Sequence, residues 1–119
     1  MLDTLKFPEH HYLNNGHGLK SWLLTKDHKR IAIMYLISIS VMFLLGGLFA
    51  MGIRYELMQP GLQLFTNDQY NAVMSFHGIG MVAVAVAIMM GSYGNYVVPL
   101  QIGARDMAFP RINALSYWL

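Results

Sequence analysis

One histidine, His77, stands inside a stretch from Gln69 to Ala104 that contains no Lys, Arg, Asp or Glu. A neutral imidazole nitrogen is a good ligand for a transition metal, and an imidazole in an apolar segment needs a partner. Two readings are open on position alone: ligation of a haem iron, or a hydrogen bond to a neighbouring helix. Gly78 and Gly80 follow it. Gly80 falls on nearly the same helix face and leaves room for a flat macrocycle, though glycines also serve helix contact. Other residues with chemistry stand near the ends of apolar segments. Arg54 is either an interfacial anchor or a guanidinium turned onto a cofactor's polar edge. Glu56, with the carbonyls around Gln59-Pro60-Gly61, could offer oxygens to a hard cation. Asp106, Asn95 and Asn113 form a set of one acid and two amides, groups that hold proton-carrying water or that cap helices and turns.

These residues must be positioned by apolar elements. The chain has 119 residues, of which 55% are hydrophobic and 12% charged, about half the charged share of soluble domains. Ile31 to Ile53 is free of charge, and as a helix its 23 residues cover about 34 Å, enough for a hydrocarbon core of about 30 Å. Gly46-Gly47 in its middle suits close helix approach. A second span is expected from about Asn71 to Met90, with Gly91–Pro99 leaving the core toward the interface. Between the spans, Pro60-Gly61 reads as a turn, and Asn67 and Asp68 as helix N-caps. Gly103 to Arg111 is a second connector, and a third span opens at about Ile112, so the chain is expected to be the N-terminal part of a longer protein. The fold class is therefore all-α membrane protein, with a polar arm over residues 1–30 and a membrane domain over 31–119.

Flanking charge orients the spans. Lys20, Lys26, Lys29 and Arg30 precede the first, Arg54 alone is basic between the two, and Arg105 and Arg111 follow the second. The positive-inside rule puts the N-terminal arm on the inner side. The arm holds His10, His11, His17 and His28 but no secretory or transit signal, and His10-His11 reads as solvated rather than metal-binding. Cysteine is absent, which excludes disulfides, thiolate metal sites and cysteine nucleophiles. The ten methionines mostly lie in the apolar runs, where they pack, and a net charge of +2 without basic–aromatic clusters gives no sign of nucleic acid.

The order of these residues is more specific than any one of them. From Asp27-His28-Lys29-Arg30-Ile31 to Leu119 the sequence resembles subunit I of the haem–copper terminal oxidases, the cytochrome c oxidase type. The resemblance rests on Arg54-Tyr55-Glu56-Leu57, Gln59-Pro60-Gly61, Asp68-Gln69-Tyr70-Asn71, His77-Gly78, the run Gly94 to Gly103, Asp106 to Arg111, and Asn113. It implies that His77 is an axial ligand of a low-spin haem of a or b type, that Arg54 touches the haem periphery, and that Tyr70 lies close to it. It implies that Asp106 is the entrance of a D-type proton path lined by Asn95 and Asn113, and that Glu56 and Gly61 belong to a calcium or sodium site. The full subunit would add a high-spin haem and a copper ion, reduce O2 to water with electrons from cytochrome c and pump protons. The segment alone lacks those later ligands and is not expected to be active.

The implied partners are the rest of subunit I, oxidase subunits II and III, cytochrome c or a quinol as donor, the lipid bilayer and a respiratory supercomplex. The implied location is the bacterial inner membrane, as a multi-pass protein with a cytoplasmic N-terminus. Two departures stand out: Arg105 occupies a position where the family often has proline, and Ile79 one where threonine is common. The competing readings are a quinol oxidase of the same superfamily, the nitric oxide reductase branch, which generally lacks an acid like Asp106, and a non-enzymatic two-span membrane or assembly protein.

Overall fold

The computed structural model describes residues 9–119, the side chains at 85, 87 and 88 excepted, and the first eight residues of the expected polar arm lie outside that range. Helices are the only regular elements among the described residues: α1 (Leu19–Leu23), α2 (His28–Glu56), α3 (Asn67–Ile79), a π-helical turn region (Gly80–Val86), α4 (Ala87–Gln101) and α5 (Pro110–Trp118). From α3 to α4 the helix is continuous over Asn67–Gln101, and this helix and α2 are each long and apolar enough to cross a membrane.

α2 starts earlier than its uncharged stretch because Asp27 caps it, its side chain accepting from Lys29 N at 3.0 Å. Within it the Ser40 hydroxyl donates to Leu36 O at 2.9 Å, so a polar side chain is satisfied inside its own helix. The second long helix is capped differently from expectation. Thr66, not Asn67 or Asp68, is the N-cap, and it forms a reciprocal capping box with Gln69. A hydroxyl with a Gln three residues on satisfies two backbone N–H groups, leaving Asn67 and Asp68 inside the first turn, where Asp68 complements the helix dipole.

Gly91–Pro99, expected to approach the interface, is helical, and the helix runs on to Gln101. Its polar groups find helix partners: Ser92 Oγ donates to Ala32 O at 3.0 Å, and Asn95 Nδ2 to Gly91 O at 2.7 Å. Pro99 inside α4 has no N–H, so the carbonyl four residues earlier, that of Asn95, loses its helical donor. His28 supplies the substitute: its Nδ1 lies 2.8 Å from Asn95 O, and since a carbonyl only accepts, Nδ1 carries the proton. His28 is 2% exposed, so no water replaces it readily. His28→Ala is expected to strand this carbonyl and destabilise the fold by about 1–3 kcal/mol. A lowered unfolding midpoint in detergent checks this, and an unchanged midpoint counts against it.

The helix ends in a Schellman arrangement, with Ala104 N bonded to Pro99 O (2.9 Å), Gly103 N to Leu100 O (3.3 Å), and Gly103 at φ 71°. Pro110 then opens α5, where its missing N–H is harmless. α5 packs on α2 through Tyr35 OH with Ser116 Oγ and Ser38 Oγ with Tyr117 OH, each 3.0 Å.

The two long helices are antiparallel, since His28 near the start of α2 meets Asn95 late in the second helix, while Gly46 meets His77. The buried positions mix apolar and polar residues, Ile31, Ala32, Met34 and Pro99 with His28, Arg30, Glu56, Ser92 and Asn95, while Leu44, Leu48 and Val82 point outward.

The arm is less solvated than its composition suggests. Arg30, 3% exposed, donates to the carbonyls of Tyr12 and Asn15 and to Ser21 Oγ (2.9 Å), and lies over the Trp22 ring at 4.9 Å. Tyr12 also reaches Tyr96 OH at 3.2 Å. Residues 12–22 are thus gathered around one guanidinium, while His10 and His11 stay exposed as expected.

Candidate functional site

His77 sits in the last turn of α3, just before the π-helical region, and is half-buried against α2. Its Nδ1 lies 2.8 Å from Gly46 O. The acceptor is a carbonyl, so Nδ1 carries a proton, and in the neutral imidazole the lone pair is then on Nε2. This is the arrangement a metal-ligating histidine needs, with one nitrogen anchored by a backbone carbonyl and the other available. Of the two readings from sequence, the structure shows the hydrogen bond to a neighbouring helix.

The flanking glycines leave space. A Cβ at Gly78 or Gly80 would have nothing within 4 Å. One residue before His77, Phe76 stacks on Phe49 of α2, ring centroids 6.1 Å apart. A neutral His77 would hold a metal through Nε2, and the bare backbone at Gly78 and Gly80 adds no side chain beside it.

Tyr70 precedes His77 by two helical turns and so lies on the same face, about 10 Å along the axis. Arg54 is exposed near the end of α2, about 12 Å beyond Gly46 at 1.5 Å per residue. Because the helices are antiparallel, Arg54 and Tyr70 lie on the same side of His77.

Glu56 is 5% exposed and engaged by backbone: Oε1 accepts from Gln63 N (2.7 Å), Oε2 from Leu64 N (2.7 Å) and Phe65 N (3.1 Å). A carboxylate has about four lone-pair sites, so three are taken by the connector. Glu56, Gly61 (φ 99°) and Tyr70 line one depression of about 430 Å3. A cation there would find one remaining lone pair of Oε1 and would depend on carbonyls and water for most of its ligands. Among the described residues no group of three or more His, Asp or Glu is placed to hold a metal.

Asp106 is exposed in the connector after α4, and its Oδ1 accepts from Met107 N at 2.8 Å. The capping role is thus present. Asn95 is buried on α4, while on α5 the Asn113 Nδ2 is buried without a hydrogen-bond partner among the described residues. Both helices pack against the first half of α2. A separate groove of about 560 Å3, lined by Leu36, Ile39, Met89 and Tyr96 among others, lies away from His77. Tyr12, Tyr93 and Tyr96 are its only titratable lining residues, so it reads as packing surface.

Sequence reasoning missed the Gly46 carbonyl, the His28–Asn95 bond and the Arg30 cluster. Only the second left a signal, a proline inside an uncharged helical run.

The fold and site together define an all-helical chain with two membrane-length helices and a histidine prepared on one nitrogen between them. The family described as "Cytochrome C and Quinol oxidase polypeptide I" matches residues 30–119, and the chain belongs to it. It is 49% identical over 104 residues, 87% of its length, to the putative cytochrome c oxidase subunit 1-beta of Streptomyces coelicolor. It is 47% identical over 104 residues, 86% of its length, to cytochrome c oxidase subunit 1 of Corynebacterium efficiens. Cytochrome c oxidase subunit 1 of Alkalihalophilus pseudofirmus is 44% identical over 98 residues, 82% of this chain and 16% of that protein. The chain spans 18% of the length of the first two relatives.

Proposed function

We propose that this chain is the first part of the catalytic subunit of a haem–copper oxidase in a bacterial inner membrane, and that His77 is an axial ligand of its low-spin haem. The observation that carries this reading is the Nδ1–H···O bond to Gly46, which in the neutral ring leaves Nε2 to hold a metal, with no side chain added beside it at Gly78 and Gly80. A haem bound there supplies one-electron redox chemistry, and its potential answers to axial ligand and surroundings. His77 would hold the iron through Nε2 while Gly46 O keeps the ring oriented. Tyr70 and Arg54, on the same side of His77, would lie near that cofactor's periphery, Arg54 supplying a positive charge toward its polar edge.

On the same reading Asp106 collects protons at the cytoplasmic mouth. The Asn95 and Asn113 amides line the first stretch beyond it, and the buried Nδ2 of Asn113, without a partner among the described residues, is the kind of donor that an ordered water satisfies. We assign Glu56 first to closing the connector, with a calcium or sodium ion at Glu56 and Gly61 as a secondary ligand of that loop. The remaining parts of the enzyme are a second haem, copper, subunits II and III, and cytochrome c as electron donor. A quinol donor fits these residues equally, because none of them meets the donor.

A reduced-minus-oxidised spectrum of the native complex purified through this chain, with analysis of the extracted haem, tests the reading. Sharp low-spin bands are expected, and a complex without haem sinks it. Arg54 gives a finer test. A cation near a haem favours the added electron, by an amount that solvent screening reduces at an exposed position such as Arg54. Arg54→Met is therefore expected to lower the low-spin haem potential, with haem content unchanged. If neither band nor potential moves in redox titration, Arg54 is an interfacial anchor.

A further inference from the structure

Gly46 meets the second helix twice. Its carbonyl accepts from His77 Nδ1 at 2.8 Å, and a Cβ built on it would stand 2.5 Å from Met81 Sδ and 3.0 Å from Met81 Cγ. Met81 follows His77 by one turn and so lies on the same face. The neighbouring Gly47 differs, since a Cβ there would have nothing within 4 Å. The missing side chain is therefore used at 46 and not at 47. Met81 rests on the bare backbone of α2 beside the carbonyl that orients His77.

We propose that the Gly46–Met81 contact is the spacer that sets the length of the His77 Nδ1–H···O bond, and through it the electron affinity of the iron that His77 ligates. The proposal rests on His77 being that ligand, and it makes Gly46 and Met81 positioning residues. The chain of cause is short. A carbonyl pulling on Nδ1–H makes Nε2 a stronger donor, and a stronger donor favours ferric iron. Interhelical distance at this crossing is set by what lies between the backbones. A Cβ 2.5 Å from a sulfur is closer than the atoms tolerate, so either Met81 turns away or the helices part. A separation of a few tenths of an ångström carries a 2.8 Å bond toward the 3.2 Å limit of good geometry. The flexible Sδ end of Met81 can turn aside, which leaves Cγ, 3.0 Å from that Cβ and nearer the backbone, as the atom that parts the helices by a few tenths of an ångström.

The test is a potentiometric titration of the low-spin haem, with the haem-to-protein ratio, in the native complex carrying Gly46→Ala, Met81→Ala or both. Gly46→Ala is expected to keep the haem ratio and the low-spin bands while raising the one-electron reduction constant about tenfold, which is about 59 mV. Adding Met81→Ala removes the clash and is expected to return most of that shift. An unchanged potential in Gly46→Ala overturns the proposal, and so does a double variant shifted as far as the single one. If Gly46→Ala does not assemble, the double variant decides: recovered complex with near-normal potential supports the spacer, and no recovery overturns it. His77→Ala separates the two levels. Loss of low-spin haem there with a silent Gly46→Ala removes only the spacer, whereas retained haem in His77→Ala removes the ligand assignment itself.

Discussion

His77→Ala is expected to remove the low-spin haem signal from the complex while the chain still inserts in the membrane. Loss of a partner behind a metal ligand already weakens metal sites about 10–100-fold. Loss of the ligand itself is expected to exceed that range and leave less than about a tenth of the low-spin band. The chain should nonetheless persist. The contacts that hold α2 to the second helix at the arm end, His28 with Asn95 and Ala32 O with Ser92, do not involve His77. Immunodetection of the chain beside a reduced spectrum separates the two effects. Full band intensity in the variant would mean that the Gly46 bond is only an interhelical contact.

Asp106→Asn is expected to slow steady-state oxygen consumption at least about tenfold and to diminish proton release, with both haems at normal amounts. The substitution is informative because asparagine keeps an Oδ1 that accepts from Met107 N, as Asp106 does at 2.8 Å. Connector geometry is then retained and only the ability to take up and release a proton is lost. General proton transfer by one positioned group contributes about 10²–10⁴-fold, so a tenfold loss is a conservative expectation. Oxygen uptake and pH recording in reconstituted vesicles provide the check, and a normal rate would assign Asp106 to turn capping alone.

The sequence made the membrane architecture readable because it is written in long uncharged runs, and both helices appear where those runs lie. Their ends were harder. The first helix begins three residues before Ile31 because Asp27 caps it, and the second is capped by Thr66 because Gln69 completes a box with it. The polar flavour of Gly91–Pro99 suggested an approach to the interface, and the structure gives Ser92 and Asn95 helical carbonyls as partners. Side-chain polarity does not report a partner such as Ala32 O, which lies 60 residues from Ser92.

His77 shows the same limit at the site. Its residue type and apolar surroundings marked it, but the acceptor that fixes its tautomer is a backbone carbonyl on another helix, which no side chain announces. The Gly46-Gly47 pair was read as a place of close approach, and only Gly46 serves as one. Glu56 was read as an oxygen donor for a cation, and the structure gives most of its lone pairs to the connector's N–H groups. Arg30 counted as flanking charge and is instead the buried centre of the arm.

The most direct test of His77 as the iron ligand is chemical rescue of His77→Gly. The complex is purified without imidazole, its reduced spectrum is recorded, and imidazole is then added stepwise. Low-spin bands are expected to be absent at first and to grow saturably with imidazole, because a free ring can occupy the space that the missing side chain vacates and offer the same nitrogen to the iron. Low-spin bands at full intensity before any imidazole is added would contradict the assignment.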